Sequence, residues 1–239
     1  MTGSRAKRSV FGSAVLASAG AACLGLVATV AAAGQPLTVV ELFTSQGCSS
    51  CPPANANLIK VRGRPNVLAL SFNVTYWDYL GWKDTFGKKE FTQRQVSYEP
   101  SLGRSGPFTP QVVVNGDADT VGAATGEIEH LIASNGPAKG PALSLGNGKI
   151  SIGAGTPPAG RADIWLVRYR QGVVEVPVAR GENTGRTLPH ANVVRSLQKL
   201  GSWTGEATTL ALPAGAGGLS TVVLVQSPGG GPILAAATN

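Results

Sequence analysis

Cysteine, histidine and charge are all scarce in this 239-residue chain, and each shortage excludes a class of function. It holds three cysteines, two histidines and one methionine. Cys23 sits in an N-terminal apolar run, which leaves Cys48 and Cys51 as one closely spaced pair with no spare thiol. A structural zinc site needs four ligands, and one cysteine pair with two distant histidines, His130 and His190, does not supply them. Haem attachment of the c type requires a histidine directly after the second cysteine, where this chain has Pro52. The peroxidatic pattern around a single cysteine is missing as well. Charged residues make up only 14% of the chain, and Arg62, Arg64, Lys88, Lys89, Arg94 and Arg104 are scattered without a stripe or an aromatic platform. No nucleic-acid partner is implied. No metal and no cofactor are expected.

The N-terminus reads as an export signal over residues 1–33. Arg5, Lys7 and Arg8 form a positive start, residues 10–30 are small and apolar, and Ala31-Ala32-Ala33-Gly34 offers a cleavage point after Ala33. Removal of those three basic residues takes the net charge from +7 to +4. The mature protein is expected in the periplasm or secreted. Contact with a membrane is expected only if the apolar segment stays uncleaved, since it is long enough to span a bilayer.

What the chain does have is Cys48-Ser49-Ser50-Cys51 at the start of a helix. Pro52-Pro53 lacks two backbone donors, which a helix tolerates only in its first turn, so the helix begins near Ser50 or Cys51 and runs to Val61. The amide-rich helix start favours thiolate over thiol at the first cysteine. Cys48 is therefore the expected nucleophile, exposed and reactive. Cys51, one turn further on, is the shielded resolving thiol that releases a partner from a mixed disulfide. A permanent structural disulfide of an exported domain shares this spacing.

Strand-like runs flank the pair: 37–43 enters the Gly47-Cys48 turn, and 67–74 follows the helix. Thr109-Pro110 opens a further apolar strand ending in the Asn115-Gly116 hairpin turn, and a helical segment follows at 127–134. This order resembles the thioredoxin superfamily, in which a proline at such a position is cis and faces the cysteine pair. The resemblance assigns that role to Pro110, with Thr109 before it. ELFTSQGCSSCPPA (41–54), YWDYLGWKD (76–84), FTPQVVVNG (108–116) and RGENTGRTLPH (180–190) together resemble the exported bacterial family called domain of unknown function 1223. That family implies a thioredoxin-like domain and no substrate. Where its members often carry His and Asp, this chain has Asn73 and Thr75.

The expected architecture is an α/β thioredoxin-like domain at 34–140, with an insertion at 75–107, followed by an all-β, sandwich-like accessory domain at 141–239. The boundary is placed at the Pro137–Pro141 segment. Beyond it, strand patterns at 149–152, 162–170, 173–179, 208–212, 221–226 and 233–236 alternate with Gly and Pro. Residues 192–200 fit strand or helix equally. This part lacks a phosphate loop, a serine elbow and a His-Glu metal motif, so it reads as a binding or scaffold domain.

Glu41 lies in an apolar strand seven residues before Cys48, close to where thioredoxins carry a buried acid that moves the proton during exchange. A strand-end acid bonded to nearby backbone is the alternative. Tyr76, Trp77, Tyr79 and Trp82 put four of fourteen aromatics within seven residues, either as a core cluster of the insertion or as a wall beside Cys48. The expected catalytic set is Cys48, Cys51, Pro110 and Glu41, and the substrate-facing set is Thr109, Trp77, Tyr76 and Asp78. Two functions remain. One is a thiol-disulfide oxidoreductase acting on protein or small thiols and disulfides; the other is an envelope binding protein with a structural disulfide or a Cu(I) site completed by a third donor.

Overall fold

The computed structural model describes residues 1–4, 35–215 and 217–239. The apolar segment and cleavage point of the expected signal lie outside the described residues. Met1–Ala31 forms one unit, of which residues 1–4 are exposed and irregular, and Ala32–Asn239 forms the other.

The β-branched run after residue 37 makes strand β1 (Thr38–Thr44), buried on both faces. Its side chains alternate. Val40 and Leu42 pack with Ala54, Leu58 and Val61 of helix α1 (Pro52–Val61), while Val39 and Phe43 join a second apolar cluster on the other face. Strand β2 (Val67–Asn73) pairs in parallel with β1, closing a β-α-β unit around α1. Strand β3 (Gln111–Val114) lies antiparallel along the other edge of β1. It turns into strand β4 (Ala118–Thr120) through Asn115 (φ 49°) and Gly116 (φ 66°), two left-handed residues in the hairpin that Asn-Gly favours. The 75–107 segment crosses to the opposite face. It holds a single 3₁₀ turn at Asp78–Leu80, helix α2 (Lys89–Ser97) and the short α3 (Glu99–Leu102), and it buries Phe91 and Tyr98 against Phe43 and Phe72. Helix α4 (Thr125–Asn135) returns Ile128 and Ile132 to the α1 side.

The sheet does not stop there. Strand β8 (Thr187–Trp203) joins β2 in parallel at Ser71 and Val193, and pairs over its length with strand β7 (Ala162–Pro177). Strands β10 (Ser220–Gln226) and β11 (Ile233–Thr238) extend the row, giving one eight-stranded sheet ordered β11-β10-β7-β8-β2-β1-β3-β4. A second sheet of β5 (Leu143–Gly146), β6 (Lys149–Ile152) and β9 (Thr208–Ala211) packs on its C-terminal half, with Ile150 and Ile152 against Ile164, Trp203 and Val223. The stretch that fitted strand or helix lies inside β8. The runs expected at 162–170 and 173–179 form one strand with a register shift between Arg170 and Val173, where Gly172 adopts φ 98°.

The boundary expected at 137–141 does not separate two compact units. Residues 32–239 cluster as one, and a single apolar cluster contains Val39, Phe43 and Leu70 from one side of that segment with Val167, Val194 and Leu224 from the other. A fragment ending at residue 140 would expose the β2 edge and half of this cluster, at about 1.5–3 kcal/mol for each large apolar side chain returned to water. Residues 34–140 expressed alone are therefore expected to aggregate or to melt without a cooperative transition in circular dichroism. A soluble fragment with a sharp transition would show that the two halves fold independently.

Candidate functional site

Cys48 and Cys51 form a disulfide at the start of α1, with Cα atoms 5.5 Å apart. Pro52 and Pro53 fill the first helical positions, Cys51 is the N-cap residue, and its carbonyl receives the first helical N–H from Asn55 at 3.1 Å. The turn before the helix is closed by Cys48 N–H to Ser45 O (3.2 Å) and Cys51 N–H to Cys48 O (3.3 Å). The Thr109-Pro110 bond is cis, and the Thr109 carbonyl lies 3.8 Å from Cys48 Sγ and 3.4 Å from Ser50 Oγ. Cys48, Cys51, Thr109 and Pro110 are thus brought together. The exposure expected of Cys48 is not found: in the disulfide form it is 1% exposed and Cys51 is fully buried, while Ser49 and Ser50 face solvent.

The aromatic segment stands beside this turn. Trp77 donates its indole N–H to Thr109 Oγ1 at 2.7 Å, and its backbone lies so close to Gly47 that an added Cβ there would meet Trp77 Cβ at 3.1 Å. Tyr76 and Trp77 are half-buried against the core, and exposed Tyr79 stacks on Trp77 with ring centroids 6.5 Å apart. The segment therefore serves both as core and as wall. Tyr76 donates to Gln95 Oε1 at 3.2 Å, and burial pushes its hydroxyl up to about 12. Asp78 faces inward along the segment, accepting the Asp84 N–H at 3.1 Å.

Two carboxylates outside the expected set clamp the cysteine turn. Asp84 is buried and accepts Gln46 N–H (2.8 Å), Asn73 Nδ2–H (2.9 Å) and Phe86 N–H (2.8 Å). Burial raises its pKa, and those donors oppose the rise. From the 178–186 turn between β7 and β8, Glu182 accepts Ser49 N–H at 3.0 Å, and buried Asn183 donates its amide to Gln46 O (3.0 Å) and Cys48 O (2.9 Å). Arg186 holds the Asn183 side-chain oxygen at 2.9 Å. Both carboxylates lie within the two motifs at 76–84 and 180–190, but the contacts span 38 and 133 residues and no local pattern encodes them.

Glu41 is not part of this site. The alternation of β1 turns it away from α1, and its carboxylate is bound by Arg94 Nε (2.7 Å), Arg94 Nη2 (3.0 Å) and the Tyr98 hydroxyl. Burial works against the Arg94 charge, but Glu41 beside it holds the guanidinium above its ordinary pKa. Gln226 of β10 completes the group by accepting from Arg94 and donating to Tyr98. A cavity of about 220 Å³ opens beside Arg94 and Trp165, and neither cysteine lines it. Breaking a buried ion pair by removing one partner costs about 3–5 kcal/mol. Arg94→Met is therefore expected to lose that much in urea denaturation, and Glu41→Leu/Arg94→Met less. Neither change should alter dithiothreitol exchange of the folded fraction.

His190 is fully buried with both ring nitrogens unpartnered, edge-on to Phe86 at 5.7 Å, and burial pushes its pKa down to about 4. Arg195 lies across the same Phe86 ring at 5.1 Å. His130 is exposed on α4. Among the described residues no three His, Cys, Asp or Glu side chains converge as a metal site. Because the unfolded His190 gains its proton near pH 6.5 and the folded one only near 4, its neutral form supports the fold above pH 6.5. That support is lost as pH falls through this window, by about 3 kcal/mol in all. His190→Phe is expected to flatten this part of the stability–pH curve, as followed by chemical denaturation at each pH.

The match to the model of the family described as protein of unknown function (DUF1223) covers residues 39–226. The chain is similar to the crystal structure of protein AGR_C_4864 from Agrobacterium tumefaciens, at 33% identity and TM-score 0.71, over 86% of this chain and 95% of that one. It shares its fold more loosely with HBP35 of Porphyromonas gingivalis, at 17% identity and TM-score 0.51, over 85% of this chain and 74% of that one. No curated protein matches it. With all four motifs of the 41–190 stretch inside the matched segment, the chain belongs to the DUF1223 family.

Proposed function

We propose that the protein is an exported, thioredoxin-like thiol-disulfide oxidoreductase whose working group is the Cys48–Cys51 pair. The observation that carries this reading is the disulfide at the α1 start lying against the Thr109-Pro110 peptide. The basic and apolar N-terminal segment supports export, and an oxidising compartment maintains such a bond. Protein or small-molecule thiols and disulfides are the substrate class.

The chemistry starts from the disulfide. A substrate thiolate attacks Cys48 Sγ, a substrate–Cys48 bond forms, and the Cys48–Cys51 bond breaks with Cys51 leaving as thiolate. A second substrate thiolate then attacks the substrate sulfur of that mixed disulfide and releases Cys48. The substrate is oxidised by two electrons and the pair is reduced. In the reverse direction Cys48 attacks a substrate disulfide and Cys51 resolves it. Tyr76, Trp77 and Thr109 form the wall along which the partner is received, with Tyr79 presenting an exposed ring at its edge.

One observation favours a second reading, a structural bridge: both cysteines are buried in the disulfide form. The Cu(I) alternative needs a third donor, and no third His, Cys, Asp or Glu side chain joins the pair among the described residues. The exchange and structural-bridge readings separate by experiment. A catalytic pair is expected to equilibrate with glutathione at a potential above about −300 mV, and Cys51→Ser to accumulate mixed disulfides on Cys48. A potential well below that value, with no trapped species, would leave only the structural bridge.

A further inference from the structure

A helix start with free amides is what makes the first cysteine of such a pair acidic, because the thiolate takes those N–H groups and the positive end of the dipole. In this protein an amide of the turn just before that start, beside Cys48 itself, is already taken. The Ser49 N–H, next in the chain after Cys48, donates to Glu182 Oε2 at 3.0 Å. The carboxylate is brought there by Asn183, fully buried, whose amide spans the carbonyls of Gln46 and Cys48. Gly181 (φ 79°) and Gly185 (φ 78°) give the turn the left-handed residues it needs, and Arg186 fixes the Asn183 side chain from the other end. Hydrogen bonds from Ser49 hold the Glu182 carboxyl below its ordinary pKa, so it is charged at neutral pH.

Resting on the thiol-exchange reading, we propose that Glu182 is a positioning residue that restrains Cys48: it takes the Ser49 amide and sets a negative charge beside the sulfur, so that the thiolate forms less readily and the disulfide is favoured. Like charges disfavour each other's ionised forms, and the helix start is left with less positive potential to offer the sulfur. Asp84, at the Gln46 N–H two residues before Cys48, and Arg186, on the Asn183 oxygen, are other charged groups tied to the segment. Glu182 differs from them in taking the amide adjoining Cys48. Because it reaches the cysteine from the β7–β8 turn, any partner that lifts this turn relieves the restraint and frees the amide for the thiolate in the same movement.

The test is alkylation of the full chain after reduction, with iodoacetamide across a pH series and mass spectrometry to separate Cys48 from Cys51 and Cys23. Glu182→Gln keeps an oxygen for Ser49 N–H and removes the charge. It is expected to move the midpoint of the Cys48 profile down by about half to one pH unit, and so to quicken modification near neutral pH by about three- to tenfold. Glu206→Gln, which changes an exposed acid in the turn between β8 and β9, is expected to leave the profile in place. An unmoved or raised midpoint in Glu182→Gln overturns the proposal, as does an equal shift in Glu206→Gln. Glutathione equilibration of the wild type reports separately on the reading beneath it. If the wild type does not exchange but the Glu182→Gln midpoint falls, the restraint stands and the oxidoreductase reading fails. If the wild type exchanges and the midpoint is unmoved, the oxidoreductase reading stands and the restraint fails.

Discussion

The junction between β2 and β8 holds the molecule together and carries the site with it. Backbone pairing there is brief, centred on Ser71 and Val193, and side chains complete the seam. Ser71 donates its hydroxyl to Ala191 O at 2.7 Å, and Asn192 its amide to Ala69 O at 2.8 Å. Asn192 sits at φ 46°, a left-handed conformation that asparagine tolerates better than most residues and that aims its side chain across the seam. With β8 anchored on β2, the turn at the far end of the β7–β8 pair falls beside the cysteine turn. Asn183 can then reach Gln46 and Cys48. A sheet that ended at β2 would have no way to bring residue 182 to residue 49.

A second long-range tie crosses the same sheet from the other face. Glu41 on β1, Arg94 and Tyr98 on the insertion and Gln226 on β10 share one buried set of hydrogen bonds. Such a pair adds little net stability compared with apolar residues of the same size, because both charges were stripped of water to make it. Its effect is on arrangement. The insertion that brings the guanidinium and the phenol to this carboxylate also brings Trp77 to Thr109 and Tyr76 to Gln95. Arg94 rests over the rings of Phe72 and Tyr98 at 5.5 and 5.3 Å, which couples the polar group to the aromatic core beneath the sheet.

Local elements were legible in the chain because their causes are local. Pro52-Pro53 marked the helix start, Asn115-Gly116 the hairpin, and β-branched runs the strands near 38, 67, 149 and 221. The continuity of the sheet was not legible, since Gly and Pro at 136–141 look like a linker whether or not the strands beyond it rejoin the first sheet. Glu41 was misplaced for a different reason. Distance along the chain from Cys48 says nothing about which face of β1 a side chain takes, and a shift of one residue reverses the face. The contacts of Asp84 and Glu182 with the cysteine turn were not legible, because each is made to a turn backbone far away in sequence and leaves no periodic trace. The aromatic cluster was legible as a cluster, and the choice between core and wall was a false one for half-buried rings.

The cysteine turn is held between two carboxylates, Asp84 at Gln46 N–H and Glu182 at Ser49 N–H, with α1 directing its positive end at the same few atoms. The two acids differ in what they can give up. Asp84 is buried among three N–H donors, and neutralising or moving it would strand Asn73, Gln46 and Phe86 together, so it acts as a fixed part of the frame. Glu182 is exposed, and its side chain meets the cysteine turn at the Ser49 N–H; water replaces that bond at small cost. Of the two acids on the turn, only the one at the N–H next to Cys48 is therefore free to leave. The second half of the chain thus holds the cysteine turn through the buried Asn183 amide and meets the N–H beside Cys48 through one replaceable hydrogen bond to Glu182, and the first half of the sheet supplies the rigid surface against which those bonds are made.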